Sequence, residues 1–212
     1  MSERSSELLF NSIAPIYGLF YHRQKKQFSR VIEGVNQELD LQKFKTVLDV
    51  GCGTGALCAV LHEKGLAVTG IDPAENMLRI AREKPENRTV RFARANVLEG
   101  LPFEDKSFDI AIASYVAHGM KQEDRKRMYA EMSRVARHRV IIYDYNENRS
   151  LLTSAVEWLE RGDYFNFIRN AETEMEDCMT ELRECFSAVK VVTVDVRAAW
   201  YICIPVKGSV QT

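Results

Sequence analysis

Residues 45–55 read KTVLDVGCGTG, an apolar run of strand length that breaks directly into three glycines on alternate positions. A chain that leaves a buried strand through such a turn needs a following element that packs back on the sheet, and one is legible at once. Ala56, Leu57, Val60 and Leu61 mark one apolar helical face, and Gly65 supplies the residue type that most easily ends a helix. Strand, glycine turn and helix in that order open a parallel α/β unit.

The pattern then repeats. Residues 66–71 (LAVTGI) read as a second strand stopped by Asp72-Pro73, and Pro73 fits the first turn of a helix whose Met77, Leu78 and Ala81 face inward. Residues 89–95 and 107–114 read as a third and a fourth strand, with Gly100-Leu101-Pro102 turning the chain between them. A helix over 122–136 carries Met128, Met132 and Val135, and 139–145 (RVIIYDY) is a fifth strand. Residues 150–186 are mostly helical in pattern. Two extended runs follow, 189–196 and 199–206, and only Arg197-Ala198 separates them, too short a link for a crossover helix. The expected architecture is a doubly wound, Rossmann-like α/β fold of seven strands, mostly parallel, ending in an antiparallel hairpin.

Composition narrows the setting. With 212 residues and 46% hydrophobic content, one domain over 1–212 with one core is the default, and no repeat or low-complexity linker divides it. Lys plus Arg number 29 against 30 Asp plus Glu, so the overall charge calls for neither nucleic acid nor an anionic membrane. Met1–Glu7 is polar and charged, and no apolar run approaches the ~18 residues of a membrane span, so a cytoplasmic protein is expected. The cysteines Cys52, Cys58, Cys178, Cys185 and Cys203 form no CxxC pair and no zinc-type spacing, which predicts reduced thiols and no metal. The sequence specifies no oligomeric state and is compatible with a homo-oligomer.

In open α/β sheets ligands bind beyond the carboxyl ends of the strands. Gly51, Gly53 and Gly55 let the backbone approach a ligand there, and the helix that follows offers free N–H groups. Tight packing alone also explains a GxG turn. Asp72, about 20 residues on, can accept both hydroxyls of a ribose; a helix-capping role is the other reading of Asp72-Pro73-Ala74-Glu75.

The wording is more specific than the glycines. VLDVGCGTG (Val47 to Gly55) resembles the first motif of class I S-adenosylmethionine-dependent methyltransferases, and LPFEDKSFDIAIAS (Leu101 to Ser114) resembles a run of their small-molecule branch. FNSIAPIYGLF (Phe10 to Phe20) is similar to the opening of quinone-biosynthesis methyltransferases and relatives of the type 11 group. The spacing is GxGxG, whereas a dinucleotide enzyme of GxGxxG type would place its last glycine, or an alanine, at Ala56.

The resemblance implies S-adenosylmethionine as cofactor, held by Asp49 near the methionine ammonium, by Gly51, Gly53 and Gly55, and by Asp72 on the ribose. Pro73, Met77, Asn96, Val97 and Ser114 complete the implied cofactor set. It further implies that residues 1–44 form a helical segment over the cofactor, with the Tyr17 ring toward the methionine part. An amphipathic helix packed through Ile13, Ile16 and Phe20 is the alternative. Asn96 stands where many relatives carry Asp for the adenine amino group, and its carbonyl oxygen can still accept. A second departure is Ala136-Arg137-His138-Arg139 in place of a Lys-Pro-Gly-Gly turn, a shorter loop that argues against the quinone subgroup specifically.

For the acceptor, His118 after the fourth strand is the candidate general base, with packing on adenine or helix capping as the other readings. Asp144 and Tyr145 are candidates to line the acceptor pocket, or plain turn residues. Residues 146–187 form the expected helical insertion on the acceptor side, where Trp158, Tyr164, Phe165 and Phe167 suggest a lid. Residues 121–139 hold seven Lys or Arg against three acids, a patch a tRNA or rRNA enzyme could use. No Asn/Asp-Pro-Pro-aromatic motif and no Pro-Cys nucleophile accompanies it, which disfavours a nucleic-acid partner. A small-molecule methyltransferase is therefore the expected function; the alternatives are a non-catalytic S-adenosylmethionine-binding subunit, an RNA methyltransferase and a nicotinamide-dependent oxidoreductase.

Overall fold

The computed structural model describes residues 3–145, 178–196 and 198–206. Seven strands form one sheet: β1 (Thr46–Val50), β2 (Ala67–Asp72), β3 (Arg91–Arg94), β4 (Phe108–Ser114), β5 (Ala136–Tyr145), β6 (Phe186–Asp195) and β7 (Ala198–Pro205). Their spatial order is β3-β2-β1-β4-β5-β7-β6. The first five are parallel, and β7 runs antiparallel between β5 and β6. The strand order reverses at β1, whose parallel neighbours are β2 and β4, and such a switch point opens a crevice at the carboxyl edge. The doubly wound expectation and the terminal hairpin hold.

Side chains alternate faces along each strand, so two cores form. On one face Val47, Ile110, Ile112, Ile141 and Trp200 pack under α1 (Glu3–Gly34), α2 (Ala56–Glu63) and α3 (Glu75–Glu83). On the other Leu48, Val50, Ala111, Ala113 and Ile142 meet Met128, Tyr129 and Met132 of α4 (Gln122–Val135). Each fully buried aliphatic or methionine side chain contributes about 1.5–3 kcal/mol. Residues 178–185 are helical and dock on α4 through the bidentate pair of Arg125 with Glu181, both N–O distances 2.8 Å. The aromatic lid candidates at 158–167 lie outside the described residues.

The N-terminal helix is pinned by its own proline. Pro15 removes the N–H that would bond to the Asn11 carbonyl, and the Asn76 side-chain amide donates to that carbonyl instead at 2.9 Å. Asn11 Oδ1 in turn accepts from the Asn76 backbone N–H, one of the unpaired first-turn donors of α3.

Three local expectations are corrected. Of the packing set Ile13, Ile16 and Phe20 only Ile13 packs inward, on the cluster of Ala14, Met77 and Ile80, while Ile16 and Phe20 are 47% and 48% exposed; Ala14 and Gly18 let the helix lie close to Ile80, and Tyr21 is buried against Ala56 and Ala59. Pro73 precedes α3 rather than opening it: Ala74 is the cap, and its N–H donates to Asp72 Oδ1 at 2.8 Å. No loop at all separates α4 from β5, because Ala136 already pairs with Phe108 and a register shift before Arg139 absorbs the missing turn.

Candidate active site

The glycine loop leaves β1 at the switch point and is tied to β2. The N–H groups of Gly51 and Cys52 both donate to the Ile71 carbonyl, at 2.8 and 2.9 Å. Gly51 and Gly53 have φ of +70° and +52°, conformations an L side chain adopts only under strain. A Cβ on Gly51 would lie 2.6 Å from Val116 Cγ2, so the segment after β4 closes directly on the loop. Above Gly53 the space is open: a Cβ there would meet nothing within 4 Å. The far side is braced by Asn87, 2% exposed, whose amide donates to the carbonyls of Gly55 and Ala81.

Two carboxyl groups flank the loop. Asp72 Oδ2 accepts from the Gly53 N–H at 2.9 Å while Oδ1 holds Ala74, so one side chain sets both the loop and the start of α3. Its carboxyl is pushed up to about 6 by burial, which those two backbone bonds only partly offset. Asp49 is 1% exposed and accepts from Cys58 Sγ at 3.1 Å. Burial pushes it up to about 7; the Cys58 bond opposes that and the Asp72 charge adds to it. Among the described residues neither carboxylate has a salt-bridge partner, and no cluster of His, Cys, Asp and Glu could hold a metal ion.

At the end of β4, Ser114 Oγ is buried without a hydrogen-bond partner among the described groups. An open backbone approach at Gly53, two buried carboxylates short of positive charge and an orphaned hydroxyl suit a cationic, hydroxyl-rich ligand. S-adenosylmethionine, with its sulfonium, ammonium and ribose diol, fits that set.

The remaining predicted residues are placed as follows. Tyr17 is half-buried beside Phe10, packed on a cluster of Ala14, Ala74, Met77 and Ile80. Met77 is 1% exposed under that helix, and Val97 is buried on the α4 face of the sheet. Asn96 caps its own 3-10 turn, accepting from the Leu98 N–H at 3.0 Å, with its amide on Glu99. Pro73 offers its carbonyl to Arg94.

The acceptor-side candidates converge. His118 Nδ1 lies 3.0 Å from Asp144 Oδ1, and the His118 backbone N–H donates to Asp144 Oδ2 at 3.1 Å. Burial raises the Asp144 carboxyl, but the His118 charge and the bonds from His118 and Tyr145 overcome it and hold the group below its ordinary value. Tyr115, at φ +58°, stacks near Tyr143 and Tyr145 with ring centroids 4.7 and 5.1 Å away, and Tyr145 meets the His118 ring edge-on at 4.9 Å. Sequence reasoning missed Asn87, Cys58, Val116 and Tyr115. The basic stretch is largely consumed by ion pairs: Arg125 with Glu181, Lys126 with Glu184, Arg134 with Glu131 and Asp105, Arg137 with Asp109.

Comparison with known proteins finds related sequences and related folds. Residues 47–139 match the family model described as a methyltransferase domain. An uncharacterized methyltransferase of Bacillus licheniformis is 28% identical over 175 residues, covering 78% of each chain. The ubiquinone/menaquinone biosynthesis C-methyltransferase UbiE of Campylobacter jejuni is 32% identical over 143 residues, and the match spans 60% of this chain and 57% of that relative's length. Among solved structures, a protein of Methanococcus maripaludis assigned as an S-adenosylmethionine-dependent methyltransferase superposes with a TM-score of 0.69 at 18% identity, covering 94% and 95% of the two chains. Magnesium protoporphyrin IX methyltransferase of Synechocystis, solved with S-adenosylhomocysteine, shares the fold at a TM-score of 0.58 and 16% identity, over 86% of this chain and 83% of that one.

Proposed function

We propose that the chain is a class I S-adenosylmethionine-dependent methyltransferase and that it methylates a small-molecule acceptor seated between the glycine loop and His118. The observation that carries the reading is the pairing of Gly53, open to a ligand, with the buried carboxylates of Asp49 and Asp72.

S-adenosylmethionine supplies an activated methyl group on a sulfonium, so the protein's work is positioning. Asp72 keeps lone pairs beyond its two backbone bonds for the ribose hydroxyls, and Asp49 would balance the methionine ammonium. Gly51, Gly53 and Gly55 provide backbone approach, Ser114 a hydroxyl, and Tyr17, Pro73, Met77, Asn96 and Val97 the walls. His118 is the base that takes a proton from the acceptor. The departure from the quinone-type pattern before β5, where the turn is absent, favours an acceptor outside the quinone group.

A nucleic-acid acceptor is disfavoured by the ion pairs that occupy the 121–139 stretch. Among the described residues no helix is long and apolar enough to cross a membrane, and no disulfide pairs the cysteines, which supports a place in the cytoplasm. The test is calorimetry with S-adenosylmethionine followed by transfer of a labelled methyl group into a small-metabolite extract. Binding without transfer would favour a non-catalytic subunit instead.

A further inference from the structure

The first acid after Glu7 is Glu33, so residues 8–32 of α1 carry no Asp or Glu. One side of this stretch packs on the body of the protein. Ile13 and Ala14 meet Met77 and Ile80, Tyr21 meets Ala56 and Ala59, and Lys25 reaches Glu63 and Glu86 at 2.7 and 3.5 Å. The opposite side is exposed. Leu8, Pro15, Ile16, Leu19 and Phe20 line it at the spacing that places residues on one helical face, and Leu8 and Leu19 are 70% and 81% exposed. The same face continues with Arg23, Lys26 and Arg30, all exposed and, among the described residues, without an ion pair.

Single exposed apolar side chains are ordinary, but a row of them along successive turns, continued by unpaired cations, marks an interaction surface. Charge selects the partner. A second copy docking face to face would bring the patch against itself, and the patch offers its own cations no acid. Nucleic acid would satisfy Arg23, Lys26 and Arg30 but leave Leu19 and Phe20 against a charged backbone. An anionic bilayer supplies both complements, an acyl boundary for the apolar row and headgroup charge for the cations. The dimensions agree: Leu8 to Phe20 spans about 18 Å of helix and Arg23 to Arg30 about 10 Å, so a shallow tilt sinks the apolar half while the long basic side chains stay among the headgroups. The balance of 29 Lys plus Arg against 30 Asp plus Glu conceals this local excess of positive charge.

We infer that the exposed face of α1 is a docking surface for an anionic lipid bilayer, with Leu8, Ile16, Leu19 and Phe20 entering the acyl boundary and Arg23, Lys26 and Arg30 resting on the headgroups. The contact is interfacial, since no helix among the described residues is long and apolar enough to cross a membrane. The Asn11–Asn76 bonds hold the apolar half of α1 at the start of α3, which follows the carboxyl end of β2. The docked half therefore lies beside the cofactor crevice rather than at the opposite edge of the sheet.

The experiment mixes the full chain with vesicles of phosphatidylcholine alone, or with about 30% phosphatidylserine, and reads bound protein by co-sedimentation at about 0.1 and 0.5 M salt. The expected result is binding to the anionic vesicles at least about 10-fold tighter than to the neutral ones, and weaker at the higher salt. Leu19→Glu, and the combined Arg23→Gln, Lys26→Gln and Arg30→Gln replacement, should each lower that binding by at least about 10-fold. Both variants should keep the wild-type unfolding temperature and the wild-type affinity for S-adenosylmethionine, because the replaced side chains stand in solvent. Binding to neither vesicle, equal binding to both, or binding that survives both variants would overturn the inference. So would a chain that ignores vesicles and forms a dimer that Leu19→Glu dissolves in light scattering, which would make a second copy the occupant of this face.

Discussion

The Gly53 backbone N–H and the Asp72 carboxylate are joined at 2.9 Å across 19 residues of sequence, so the residue proposed to grip the ribose also sets the shape of the loop that admits the cofactor. Removing that carboxylate should therefore cost binding twice, through the lost contact and through a slackened loop. Asp72→Ala is expected to weaken S-adenosylmethionine by at least about 100-fold, since a buried hydrogen bond to a charged group contributes about 1.5–3 kcal/mol and two backbone donors lose their partner. Asp72→Asn should lie between. Titration of both variants checks the order.

Gly51 and Gly53 separate stability from binding. Gly51→Ala places a Cβ 2.6 Å from Val116 at φ +70°, and should destabilise the fold by roughly 2–4 kcal/mol. Gly53→Ala meets no atom within 4 Å, so only its φ of +52° is strained, at about 1–2 kcal/mol. Its methyl group nevertheless occupies the space reserved for the ligand. Denaturant unfolding should rank Gly51→Ala as the less stable protein, while calorimetry should find cofactor binding weakened in both.

What the sequence disclosed is what is local. The strand, the glycine turn and the apolar faces of α2 and α4 are periodic over a few residues, and they landed within one to three residues of the structure. The face of α1 did not follow from apolar spacing: Ile16 and Phe20 are the larger side chains, yet the small Ala14 and Gly18 decide which side can approach α3. The brace of Asn87 on Gly55, the seal of Val116 on Gly51 and the grip of Asp144 on His118 each join residues 26 to 65 positions apart. Only strand register and helix packing bring them together.

Asp49 and Asp72 make the site sensitive to pH. Folding raises the Asp49 carboxyl to about 7, so the folded protein binds that proton more tightly than the unfolded chain. Stability from this group is complete below the ordinary carboxylate range and is lost as pH rises toward 7, by about 4 kcal/mol at most. Asp49→Asn should remove that decline, and the variant should be the more stable protein at pH 8. A cationic ligand favours the ionised carboxylates, so the affinity for S-adenosylmethionine should strengthen between pH 5.5 and 8. The neutral thioether of S-adenosylhomocysteine should gain less.

The Arg125–Glu181 pair couples α4 to helical residues 178–185 at 7% and 1% side-chain exposure. Glu181→Ala leaves a buried guanidinium unpaired and should cost about 3–5 kcal/mol. The double replacement Arg125→Met with Glu181→Leu should recover most of it in thermal unfolding.

Calorimetric titration of the folded wild-type chain with S-adenosylmethionine near pH 8 tests the central claim most directly. The account predicts one site per chain, occupied at micromolar concentration and weakened at least 100-fold by Asp72→Ala. A folded protein that gives no heat with millimolar S-adenosylmethionine, or that binds it equally well without Asp72, would contradict it.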